Sequence, residues 1–319
     1  MGSGSASRAR LILVATSALL ATLLELPRAS AQSATTDWEK AAGGKMSFDV
    51  ASVKQDTSGQ FTAPSFALDA GDTYPGNTTL FSAHFPLATF IEFAYKLSPI
   101  QQHEVQSQLP KWATTKRFDI EARAAMPSTK DQMRLMMQTL LAERFRLAIH
   151  FETQEKPVFE LVLVKPGNTG PQLHRYTDDP PCDAAPPSGP NVPGLKTVIG
   201  QFPPMCYALM GFRQGVNGAQ LITWGSRNVS MRQIASDMET APTANIDRPV
   251  IDDTGLSGNF DFLMSFNTPA SAASDATQPE DSAPTFVEAL KDQLGLKLAS
   301  STAPVETPLI DHLEEPASN

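Results

Sequence analysis

The chain has 319 residues, with 25 Lys and Arg against 34 Asp and Glu for a formal charge of −9, and 41% of its residues are hydrophobic. That length and apolar content supply one large core or two ordinary ones. The acidic balance argues against nucleic acid and against an anionic membrane surface as partner.

The N-terminus reads as a secretory signal peptide. Arg8 and Arg10 precede an apolar run over residues 11–24, and Ala29, Ser30 and Ala31 form a small-x-small cleavage site. The run is shorter than the ~20 residues a bilayer requires, so an anchor is not expected. Cleavage near Ala31 removes Arg8, Arg10, Arg28 and Glu25, which takes the charge from −9 to −11. The expected location is the periplasm or the cell exterior.

Residues 32–45 are polar and are expected to be a flexible leader. Residues 48–54 alternate apolar and polar side chains, and residues 78–83 form a second short run; both read as strands. A helix is predicted from Pro86, because Leu87, Phe90, Ile91, Ala94 and Tyr95 share one face. Pro99 is expected to close it.

Phe118, Ile120 and Ala122 alternate with Asp119, Glu121 and Arg123, which predicts a strand with one charged face that Pro127 ends. Thr129 and Gln132 then have capping-box spacing. Met133, Met136, Met137, Leu140 and Leu141 follow at helical period, and the stripe is read as core rather than as an adaptable binding surface. Leu147, Ile149 and Phe151 predict a strand, and Pro157 is expected to open a separate strand over residues 158–165, apolar on both faces.

Residues 176–218 are rich in Pro and Gly and read as a linker. They hold Cys182 and Cys206, the only two cysteines, which an oxidising compartment is expected to join as a disulfide. Beyond them come a strand at 221–224, a helix with Met231, Ile234, Ala235 and Met238 on one side, a turn at Asp252, Asp253, Thr254 and Gly255, and a strand through Phe260, Phe262 and Met264. Residues 269–283 are a low-complexity insertion expected to be mobile. Thr285 and Glu288 form another capping box, ahead of Phe286, Ala289, Leu290 and Leu294.

Leu296 and Leu298 then echo Leu147 and Ile149, and Pro304 with Val305 echoes Pro157 with Val158. The expected fold class is α+β, with two related small α/β sandwich units from an internal duplication, mostly antiparallel sheets and helices on one face. The expected organisation is a signal peptide at 1–31, a leader at 32–45, a first unit at 46–175, a linker at 176–218 and a second unit at 219–319.

Several motifs recur together. The run from Arg248 to Phe262 (RPVIDDTGLSGNFDF), the ALKDQLGLKL at 289–298, Pro304 with Val305, and the IDHLEEP at 310–316 make one set. FDVASVK at 48–54, Trp112 ahead of Arg117, LLAERFRL at 140–147 and EKPVFEL at 155–161 extend it through the first half. As a set they resemble an exported bacterial family of unknown function, found widely in soil bacteria. The resemblance implies an exported soluble protein and supplies no reaction. Similar regions in the outer parts of membrane-bound antirepressor-type sensors imply a recognition role.

No nucleophile elbow, zinc-protease helix, phosphate loop or dinucleotide fingerprint occurs in the sequence. Its five His, at 84, 103, 150, 174 and 312, are not spaced as ligands, so neither a metal nor a cofactor is expected. Asp311 and His312 are neighbours on a predicted strand and point to opposite faces. Trp112 and Trp224 are candidate exposed anchors for a partner, weighed against core packing. The function expected is a non-enzymatic binding or interaction module of the bacterial envelope, sensory in character, with no catalytic residue nominated and the partner left open. The alternative is an exported hydrolase whose site gathers Asp252, Asp253 and Asp261.

Overall fold

The computed structural model describes residues 1–2, 37–60, 62–71, 76, 78–177, 182, 206–207, 209–216, 219–241, 244, 246–268 and 284–316. The apolar run and cleavage site of the expected signal peptide, and the expected insertion at 269–283, lie outside the described residues.

Strand and helix patterns of the first half give α1 (Asp37–Ala42), β1 (Val50–Asp56), β2 (Thr78–Pro86), α2 (Leu87–Ala94), α3 (Pro99–Gln108), α4 (Lys111–Thr115), β3 (Arg117–Ser128) and α5 (Lys130–Phe145). The leader is therefore not wholly flexible: Glu39 of α1 is buried and accepts from Gln138 Nε2 of α5 at 2.7 Å. Pro99 starts a helix instead of closing one. Ser98 caps α3 and Gln101 returns the bond, and a proline at the first helical position gives up only an N–H that would be unpaired there anyway. β1, β3 and β2 form an antiparallel sheet in that order, with Phe118, Ile120 and Ala122 inward. The Thr129–Gln132 capping box forms, and Met133, Met136, Met137, Leu140 and Leu141 are buried as the period predicts.

The rest comprises β4 (Ala148–Leu163), β5 (Leu173–Arg175), β6 (Met210–Val216), β7 (Ala219–Ser230), α6 (Met231–Met238), β8 (Val250–Asp252), β9 (Asn259–Thr268), α7 (Phe286–Leu294) and β10 (Leu296–His312). The expected linker ends in β6, which joins a sheet of order β5-β9-β7-β6. β4 is one strand where two were expected. It pairs with β10 along its whole length, and β8 adds in parallel at Phe159–Leu161.

Hydrogen-bond parity explains how a strand runs through Pro157. Phe159 N–H donates to Pro249 and Leu161 C=O accepts from Asp253, so odd-numbered residues of β4 face the β8 side. Pro157 shares that parity and lies beyond the end of β8, where its missing N–H breaks no ladder bond.

Two apolar clusters form. One gathers β1–β3 and α2–α5 around Phe81, Phe90, Phe118 and Phe145; the other gathers β7, β9, α6 and α7 around Phe260, Phe262, Phe266 and Leu290. The β4/β10 ribbon serves both. Leu161 and Leu173 belong to the second cluster, while Ile310 and Leu313 pack on the first, so each half is completed by strand from the other's part of the sequence. The order β2–α2, then β3–α5–β4, recurs as β7–α6, then β9–α7–β10.

Candidate functional site

The structure separates the residues singled out from the sequence. Trp224 is 6% exposed and lies edge-on to Phe266 and Phe286, so it is core and not a surface anchor. Its register partner is Gly211, where a Cβ would approach the indole Nε1 at 3.1 Å. Trp112 is half-buried and edge-on to Phe118. Asp252 folds onto its own turn, accepting from Thr254 N–H at 3.0 Å and the Thr254 hydroxyl at 2.7 Å. Asp311 does not meet His312. It bonds His150 Nδ1 across the ribbon at 2.8 Å and, with Glu152 near Nε2, raises that imidazole's pKa, while His312 turns to Glu314 at 2.8 Å. Of the carboxylates of the hydrolase reading, Asp252 is thus committed to its own turn and Asp261 to Arg227 and the Asn228 N–H.

Unusual backbone lies where β7 passes β9. The register slips between Ser226 and Val229, leaving Arg227 and Asn228 as a bulge. Asn228 has φ 53 and Tyr207 has φ 63, a left-handed conformation that costs a non-glycine residue on the order of 1 kcal/mol and concentrates at binding sites. The two hold each other: Tyr207 N–H donates to Arg227 C=O at 2.8 Å, and Asn228 Nδ2 donates to the Tyr207 hydroxyl at 2.9 Å.

Asp261 of β9 fixes the bulge from beneath. It accepts from Arg227 Nε at 3.2 Å and from Asn228 N–H at 2.9 Å, and both Arg227 and Asp261 are buried. Above, Asn259 Nδ2 donates to Asn228 Oδ1 at 2.6 Å. The Arg227 guanidinium lies 5.7 Å from the Tyr176 ring centre and that of Arg175 lies 5.4 Å from Phe260. The Cys182–Cys206 disulfide forms as expected and ties the residue before Tyr207 to the far end of the expected linker. Exposed Tyr207 and Asn259 with half-buried Asn228 and Tyr176 therefore present amides, a phenol and an aromatic face together. Asparagine tolerates the left-handed region, which is a weak sequence signal for Asn228; nothing local to Tyr207 announces its role.

A polar seam joins this corner to the first cluster. Buried Lys130 and Arg134 grip the 66–71 loop: Lys130 Nζ binds Asp69 at 2.6 Å and Gly71 C=O at 2.7 Å, and Arg134 donates to the carbonyls of Asp69 and Gly71 at 2.9 and 2.8 Å. Gly71 lies so near Tyr207 that a Cβ would stand 3.1 Å from its carbonyl. On α6, burial, with Asp69 and Glu239 nearby, pushes Asp237 up to about 7 despite the Gln233 amide on its Oδ1. Its Oδ2 is buried and has no hydrogen-bond partner among the described residues. Among the described residues no group of three His, Cys, Asp or Glu is placed to hold a metal ion.

A family model described as a protein of unknown function (DUF3738) matches residues 88–313. No curated protein and no solved structure matches the chain.

Proposed function

We propose, for a chain that belongs to the DUF3738 family of proteins of unknown function, that it is an exported, non-enzymatic recognition module of the bacterial envelope, reading its partner at the disulfide-tied bulge. The observation that carries this reading is the mutual bracing of Tyr207 and Asn228, two non-glycine residues held in the left-handed region. Rigid phenol and amide groups suit uncharged, hydrogen-bonding ligands such as peptide backbone or sugar hydroxyls. Asp261, the carboxylate bonded to this corner, is committed to Arg227 and the Asn228 N–H, which suits support rather than proton transfer.

Export is supported by the N-terminal sequence pattern and by the disulfide. Among the described residues no helix is long and apolar enough to cross a membrane. The test is to immobilise the purified protein, pass envelope extract over it, and repeat with Tyr207→Ala and Asn228→Ala variants whose melting curves show folded protein. Retention of an envelope component by the wild type and its loss in both variants is the expected result. Hydrolysis of a generic ester, peptide or glycan by the wild type, with nothing retained, would defeat the reading.

A further inference from the structure

The outer edge of β10 is capped along one part and, among the described residues, uncapped along another. Ile310 N–H donates to Gln108 Oε1 at 3.0 Å, and the carbonyls of Pro308 and Glu306 accept from Gln108 and Gln101 at 3.0 and 2.8 Å. Even-numbered residues of β10 therefore turn their backbone groups away from β4, toward α3. Pro304 and Pro308 share that parity, so two of the outward positions lack an N–H altogether. A side-chain-capped edge broken by prolines is how a sheet avoids recruiting another strand.

Leu298, Ser300 and Thr302 share the same outward parity and have none of these devices. The ladder is regular from Leu296 to Ile310, β10 is the terminal strand of its sheet, and no described residue caps these three. Ser300 and Thr302 are exposed, and residues 299–302 bear no charge, proline or bulge. We infer that the Leu298–Thr302 edge of β10 is a strand-addition site for an extended segment of another protein, paired through the outward N–H and C=O groups of Leu298, Ser300 and Thr302.

Charge selects the occupant. With −9 on each chain, a second copy is repelled, whereas a basic segment is attracted. Glu306 follows the edge and Glu160 lies beside it on β4, opposite Ala299. The site is separate from the Tyr207 corner, and it stands or falls independently of that reading.

Amide hydrogen exchange resolved by residue tests it, using the whole protein and a lysine-flanked peptide of alternating threonine and valine. In dilute free protein the amides of Leu298, Ser300 and Thr302 are expected to exchange fast, while Lys297, Ala299 and Ser301 are already slow through β4. Adding the peptide is expected to slow the first three by about tenfold or more. A peptide N-methylated at alternate residues, which cannot donate, leaves the protein unaltered and should leave all three fast. Ser300→Pro, checked for a native melting curve, should abolish the protection. Outward amides already slow in dilute protein, equal protection by the N-methylated peptide, or protection that follows protein concentration without peptide would each overturn the inference.

Discussion

Glu239, one residue past the end of α6, accepts from the N–H of Ile100 in the first turn of α3 at 3.1 Å. Its other oxygen accepts from Val250 N–H of β8 at 3.1 Å. A carboxylate from the second half thus caps a helix of the first, where the helix dipole and an unpaired N–H both favour it. Glu239→Ala leaves two part-buried N–H groups without partners and is expected to cost ~2 kcal/mol, with Glu239→Gln costing about half of that. Urea denaturation of the two variants beside wild type measures both values.

Asp237 makes stability depend on pH. Its pKa rises from 3.8 unfolded to about 7 in the fold, so its favourable contribution is full below the unfolded value and is lost as pH climbs through about 7. Asp237→Asn, which is always neutral, is expected to match wild type near pH 4 and to exceed it by ~4 kcal/mol near pH 8. Denaturation midpoints across that range decide it; an equal offset at both ends would contradict the assignment.

Gln108 tests the edge cap. Gln108→Ala uncovers Ile310 N–H and Pro308 C=O and is expected to cost ~1–2 kcal/mol. Urea denaturation beside wild type measures the loss.

Two glycines should respond differently to alanine. At Gly170 a Cβ would stand 2.4 Å from the carbonyl oxygen of Gln293 and 2.5 Å from Gly295 N, both backbone, so Gly170→Ala is expected to cost about 3 kcal/mol. At Gly255, φ +68 with open space around it, only the left-handed backbone resists, for about 1 kcal/mol. Thermal denaturation of the pair gives the comparison.

The disulfide joins residues 24 apart, and replacing Cys182 and Cys206 by serine is expected to cost ~3 kcal/mol by freeing the unfolded chain. The same variant should weaken capture of any partner at Tyr207, because the backbone preceding it loses its tether. Melting curves with and without reductant report the first effect, and the retention assay reports the second.

Much of the local structure was legible from short spacings. Thr129 with Gln132 and Thr285 with Glu288 cap their helices as read, because both partners lie within one turn. The buried Met stripe of α5 follows for the same reason. Two prolines misled: Pro99 opens a helix, because Ser98 and Gln101 form a cap around it, and Pro157 sits inside a strand, because its parity and the short span of β8 spare it a ladder bond. The Ser98–Gln101 spacing lies within one turn and is legible in the sequence, whereas the exemption of Pro157 depends on which strand stands beside it.

The candidate corner was the least legible part. Trp224 drew attention by its type and proved to be core, while Asn228 carries only a weak signal and Tyr207 none. What the sequence by itself determined is the set of elements, their caps and inward faces, and the pair of cysteines, since each depends on residues a few positions apart or on the oxidising compartment that the N-terminal pattern predicts. What only the tertiary structure decided is the β4/β10 ribbon that lends strand to both cores, the Glu239 cap across 139 residues, and the His150–Asp311 bond across 161. Those contacts pair groups with no shared period. Their partners are chosen by which surfaces meet when two amphipathic halves close on one ribbon.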